Sequence, residues 1–164
     1  MNGSATISFP LDDGLFNFRV AGVAISNGKL LLHKTPSDNL WSLPGGRVDL
    51  FEMTSQTLVR EMVEETGWHI QVGELMWIVE NFFGYNGVRH HEIGFYYKME
   101  IPDVDCDADF QAIELGSELL FHWHPLEELQ SIKIYPEFIS KDLIQKTTHP
   151  RHIIGDFINL NTVS

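Results

Sequence analysis

The chain has 164 residues, the size of one domain, and 43% hydrophobic with 12% aromatic side chains supply a sizeable core. Its 23 Asp and Glu against 11 Lys and Arg give a formal net charge of −12, which excludes DNA, RNA or an anionic membrane as favoured partners, since a polyanion would be repelled. The same balance argues, at first, against small phosphorylated substrates.

Cys106 is the only cysteine, so an intrachain disulfide, a Cys-rich zinc site and a CxxC redox pair are excluded. The segment MNGSATISFP carries no Lys or Arg and no apolar core, unlike a secretory signal. The apolar run from Val20 to Ile25 falls far short of the ~18 residues of a membrane span. These features predict a protein of a reducing compartment, the cytoplasm.

In chain order, Phe16 to Ile25 reads as a β-strand, and Asn27-Gly28 turns the chain into KLLLHKT as a hairpin. Pro36, Pro44, Gly45 and Gly46 mark a loop. Thr54 to Thr66 reads as a helix that Gly67 ends as a C-cap. Strands are predicted at about Leu75–Phe83 and Glu92–Met99, joined by a turn from Gly84 to Gly87. An acidic loop then leads past Glu114 and Glu118 to a strand at about Leu119–Trp123, and short helices are predicted at Pro125–Leu129 and Glu137–Lys146. Strands and helices mix without strict βαβ alternation, which predicts an α+β fold or a mixed-sheet sandwich.

The helix carries the chemistry. At ~100° per residue, Glu61, Glu64 and Glu65 share one arc of about 100°, while Leu58, Val59, Met62 and Val63 form an apolar stripe. Crowded carboxylates repel, and Arg60 cannot neutralise Glu52, Glu61, Glu64 and Glu65 together. A hard divalent cation, Mg²⁺ or Mn²⁺, can do so with oxygen ligands. The bland alternative is a solvated acidic helix face.

The spacing decides between them. Gly46, Glu52, Arg60, Glu61, Met62, Glu64, Glu65, Gly67 and Trp68 fill every specified position of the pattern G-x5-E-x7-R-E-U-x-E-E-x-G-U, where U is a bulky apolar residue. Residues 46–68 therefore resemble the signature box of the Nudix hydrolase family. The resemblance implies a single domain over 1–164, with a core of about 16–146, folded as an α/β/α sandwich around a mixed sheet. It implies Mg²⁺-dependent (or Mn²⁺-dependent) hydrolysis of a pyrophosphate bond in a nucleoside diphosphate linked to another group. By position, Glu61 and Glu65 would ligate the metal, with Glu64 a ligand or next to one, and the Gly45 carbonyl would coordinate as well. Arg60 would orient the carboxylates, and Glu52 would act through water or through Arg60. In some relatives the general base is a Glu of the box. In others it lies near the last strand, where Glu118 is the first candidate and Glu114 the second. Homodimers are common in the family, so a homodimer is an expectation too.

Substrate choice lies outside the box. No Pro occurs between Pro44 and Pro102, which departs from the family's ADP-ribose subgroup, and its NADH-type and coenzyme A signatures are not recognisable. Tyr85 sits near a Tyr of dinucleoside-polyphosphate hydrolases. Arg89, with His90 and His91, is the dense positive spot able to grip a phosphate, and Phe82, Phe83, Tyr85 and Tyr96 can stack on a base. Ordinary hairpin packing accounts for the same residues. Adjacent His90 and His91 point to opposite faces of a strand, and His122 with His124 lacks a third ligand, which argues against zinc. Trp41 and Leu43 read as core. Two rivals share the fold: a domain that binds and senses a metabolite without cleaving it, which would usually lack a box carboxylate, and an isoprenoid diphosphate isomerase, for which Cys106 is a poor catalyst. Five acids stand in residues 46–68, whereas residues 100–128 hold nine acids and no Lys or Arg. A cation bound in the first group makes it phosphate-binding, which reverses the initial exclusion of small phosphorylated substrates but not that of long nucleic acids.

Overall fold

The computed structural model describes residues 5–108, 110–114, 117–145, 150–155 and 158–159, without the side chains of 110–114, 117 and 158–159. Period-two alternation sorts side chains to the two faces of each strand. The strands are β1 (Ser8–Leu11), β2 (Gly14–Val23), β3 (Ile25–Ser26), β4 (Lys29–Lys34), β5 (Gly45–Arg47), β6 (Gln71–Tyr85), β7 (Val88–Glu100), β8 (Phe110–Glu114), β9 (Ser117–Pro125), β10 (Arg151–Ile154) and β11 (Ile158–Asn159). The larger sheet runs β1-β2-β7-β6-β10, with β5 also on β2 and β11 also on β6, and the smaller runs β3-β4-β9-β8. The larger sheet is mixed: β2 lies parallel to β7, and β10 parallel to β6, while β6 and β7 are antiparallel.

Helix α1 (Thr54–Thr66) buries Leu58 and Met62 in one core with Val20, Leu31 and Phe121. Helix α2 (Phe138–Asp142) buries Ile139 in a second core with Ala21, Leu30, Leu32 and Trp77. Neighbours Val20 and Ala21, or Leu30 and Leu31, thus face opposite layers. The result is the α/β/α sandwich around a mixed sheet that the family resemblance implied. No described helix is long and apolar enough to cross a membrane.

Element boundaries differ in instructive ways. The strand expected over Phe16–Ile25 ends at Val23, because at Ala24 the chain leaves β7 and its carbonyl accepts from the Leu31 amide of the smaller sheet at 3.0 Å. Asn27 (φ 50°) and Gly28 (φ 73°) then make the predicted turn. Strands β6 and β7 outrun the predicted pair, because Asn86 and Gly87, both at positive φ, turn the chain in two residues. The β6 extension carries register shifts between Val72 and Trp77, which hide its alternation. Pro125–Leu129 holds only a 3₁₀ turn, Leu126–Glu128, and the helix expected over Glu137–Lys146 is the shorter α2; Lys146 lies outside the described residues.

Candidate active site

Two glycines seat the site. A Cβ on Gly45 would stand 2.0 Å from the Val20 carbonyl oxygen, and one on Gly46 would stand 2.1 Å from the Glu61 carboxyl carbon. Only bare backbone fits between β2 and α1, and β5 there pairs Gly45 with Ala21 and Gly46 with Val20. Beyond β5 the loop closes through the Glu52 amide donating to the Asp49 carbonyl at 3.1 Å. Gly67, at φ 75°, ends α1 with its amide on the Val63 carbonyl at 2.9 Å.

On α1, one turn separates Glu61 from Glu65, and both are buried, at 7% and 4% exposure. Arg60 ties the acidic groups together. Its Nε and one terminal nitrogen donate to the two oxygens of Glu52 at 2.9 Å each. The other terminal nitrogen donates to Glu61 at 2.9 Å and to Glu64 at 3.2 Å. Thr57 donates to Glu52 at 2.7 Å. The Arg60 hydrogen bonds hold the Glu52 carboxyl below its usual range despite partial burial, and the Glu52 and Glu61 carboxylates push the guanidinium's pKa up. Glu64 is the exposed member.

His33 Nδ1 lies 3.9 Å from a Glu65 oxygen. Burial, with the Arg19 charge adding to it, depresses His33 to about 3. The ring is neutral at neutral pH, so this contact is not an ion pair.

Among the described residues no three His, Cys, Asp or Glu side chains gather into a ready-made metal cage. The buried pair Glu61 and Glu65 instead fits a hard divalent cation of the kind that takes one or two carboxylates and completes its shell with water and phosphate oxygens. The glycine gap at Gly46 supports this fit, since it lets the Glu61 carboxylate lie against the β5 backbone.

A different set of residues lines a cavity of about 560 Å³. Arg19, Phe83, Tyr85, Glu92, Tyr96 and Tyr135 are among its lining residues. Arg19 on β2 lines the cavity and stands opposite Arg47 of β5, the residue after Gly46; burial lowers its pKa, but the charges of Glu92, Tyr96, Glu65 and Glu61 outweigh that and raise it. Burial raises the Glu92 carboxyl pKa, opposed by Arg19 and by the Asn81 amide that donates to it at 3.4 Å. Register explains the assembly: Asn17, Glu92 and Asn81 stand abreast on β2, β7 and β6.

The predicted residues fall into two groups. Glu52, Arg60, Glu61, Glu64 and Glu65 form one hydrogen-bonded or packed set with Gly45 and Gly46, and Tyr85 lines the cavity, where its hydroxyl donates to Asp38 at 3.3 Å. Arg89 is not among the lining residues; it pairs with Asp13 at the exposed hairpin end. Glu118 is exposed on β9 opposite Ile113, and the Glu114 side chain lies outside the described residues. His90 stacks on Phe83 at 4.7 Å, whereas His91 packs on Phe82 at 4.6 Å on the other face. Leu43 and Cys106 are buried in the cores. Sequence reasoning missed Arg19, Glu92 and Tyr135. The available signal was a lone charge inside an otherwise apolar strand, in FNFRVAGVAI and again in HHEIGFYY.

A family profile for the NUDIX domain matches residues 17–144. The chain is 37% identical over 68 residues to a MutT-like protein of Streptomyces ambofaciens, covering 41% of this chain and 44% of that one. It is 41% identical over 59 residues to the CTP pyrophosphohydrolase of Escherichia coli, covering 34% and 44%. The chain spans less than half the length of the curated relatives it matches. An ADP-ribose pyrophosphatase from Streptococcus suis has the same fold, with a TM-score of 0.58 at 15% identity over 84% of this chain and 98% of that one.

Proposed function

Since the chain belongs to the NUDIX domain family, we propose that it is a divalent-cation-dependent hydrolase of the pyrophosphate bond in a small nucleotide or nucleotide-linked metabolite. The observation that carries this reading is the buried Glu61 and Glu65 pair, set against Gly46 of β5, whose partner strand β2 lines a cavity of about 560 Å³ with Arg19.

Glu61 and Glu65 hold the cation, Mg²⁺ or Mn²⁺, with the exposed Glu64 and the Gly45 carbonyl as further oxygen donors. The cation, when bound, neutralises phosphate charge and acidifies water for attack at phosphorus. Arg60 orients the carboxylates, and Glu52 fixes Arg60 through both of its oxygens. The cavity aromatics, Tyr85 among them, hold the organic part of the substrate in place, so that attack on the bound phosphate is effectively unimolecular. Arg89 reaches a phosphate only after leaving Asp13. The proton from water passes to a Glu of the box, Glu64 where it stands beside the cation rather than on it, or to Glu118 outside the box, and E64Q and E118Q separate these two routes by their pH–rate profiles.

The test is a panel of nucleoside triphosphates, dinucleoside polyphosphates and nucleotide sugars with Mg²⁺, the products identified by mass. Cleavage at a pyrophosphate bond, lost with chelator, is expected. Failure to turn over any compound, while one of them still raises the melting temperature, would establish the sensor reading instead.

A further inference from the structure

We propose that Glu92 and Arg19 read the nucleobase, and that together they select a base carrying both an exocyclic amine and a ring carbonyl. This inference rests on the reading of the cavity as the organic side of a nucleotide site.

Of the three charged side chains lining the aromatic-walled cavity, Asp38 accepts on both oxygens, whereas Arg19 and Glu92 have hydrogen-bonding capacity to spare. Glu92 is 7% exposed. Its Oε1 accepts from Asn81 at 3.4 Å, and among the described residues its other oxygen accepts nothing. Asn81 stands opposite Glu92 in the β6–β7 register, which sets its amide against the carboxylate. Arg19 is partly buried on β2, and among the described residues its guanidinium makes no hydrogen bond. A buried carboxyl oxygen left in this state, as on Glu92, is costly unless a ligand completes it.

The chemistry of completion is specific. An ionised carboxylate only accepts, so it requires an N–H from the ligand; a guanidinium only donates, so it requires an oxygen or ring nitrogen. Burial raises the Glu92 carboxyl pKa, and Arg19 and the Asn81 amide oppose that shift; a ligand N–H donating to the carboxylate favours the ionised form in the same way. Guanine and cytosine carry an amine and a carbonyl. Hypoxanthine and uracil keep a ring N–H but lack the exocyclic amine, whose N–H lies at the ring's edge where a side-chain carboxylate reaches it, and adenine lacks the carbonyl. Phe83, stacked on His90, and Tyr135, edge-on to Phe83 at 5.2 Å, supply walls for a planar ring.

Paired ligands differing by one group test this. Calorimetric binding of GMP against IMP, and of CMP against UMP, needs no turnover. The amine-bearing member of at least one pair is expected to bind about ten- to a hundredfold tighter, the range of one charge-assisted hydrogen bond. The pair that responds tells purine from pyrimidine. In E92Q that ratio is expected to fall toward one, with the melting temperature reporting that the variant is folded. Ratios near one in the parent protein, or a ratio unchanged in a folded E92Q, would overturn the assignment. Discrimination without any pyrophosphate cleavage would leave this inference standing and overturn the proposed activity. Cleavage without discrimination would do the reverse.

Discussion

At the scale of single residues, one guanidinium meets three glutamates: Arg60 takes both oxygens of Glu52 and one each of Glu61 and Glu64. A lysine has the charge but not the planar fork. R60K should therefore lower kcat/KM by about ten- to a hundredfold, the range for residues that orient metal ligands, with little change in melting temperature. A large fall in melting temperature at unchanged kcat/KM would make Arg60 a stabiliser only. Glu92 gives a prediction of opposite kind. Burial raises its folded pKa above the ordinary 4.5, so the native state holds that proton more tightly than the unfolded chain. Its contribution to stability is then full below about 4.5 and declines as pH rises through the folded pKa. Melting curves should show E92Q gaining on the parent as pH rises above about 4.5; a constant difference would place the carboxyl in water-like surroundings. The Arg60 set was legible in the sequence because its partners lie within one box of fixed spacing. Arg19 and Glu92 were not, since they meet only through the β2–β7 register, which pairs Asn17 with Glu92 across 75 positions.

At the scale of elements, the site depends on three pieces in contact: β2, β5 and α1. In G46A the new methyl would collide with the Glu61 carboxylate. We expect a loss of about 1–3 kcal/mol in denaturant unfolding, together with loss of activity as Glu61 is pushed aside. G45A collides with backbone rather than with a side chain, so it should separate β5 from β2 and be the worse of the two. L58A removes a fully buried side chain on the opposite face of α1 and should cost about 2–5 kcal/mol. Its activity, measured below the unfolding transition, should stay closer to that of the parent than does that of G46A. Helix α1 was readable to the residue because amphipathic period, helix formers and a glycine cap agree. Strand β5 was not, because three residues of Gly-Gly-Arg carry no alternation and become a strand only against β2. Strand β8, next to the acidic run, was missed for a related reason: its pairing with β9 lies outside any local pattern.

Over the whole molecule, the net charge of −12 is unevenly distributed. The carboxylates of residues 46–68 converge on Arg60 and on the candidate cation site. Among the described residues the acids of 100–128 form no ion pair with Arg60; in that stretch Asp107 pairs with Lys29 of β4. A small anion can thus be drawn to one cation-loaded locus while the surface as a whole still repels a polyanion. The central claim is that the buried Glu61 and Glu65 pair holds the cation on which hydrolysis depends. The most direct measurement is the turnover rate of the best nucleotide by the parent protein and by E65Q, each with Mg²⁺ and with chelator. Cleavage by the parent with Mg²⁺, falling at least about a hundredfold both with chelator and in a folded E65Q, is the predicted result. Equal rates in E65Q, or turnover that persists with chelator, would contradict it.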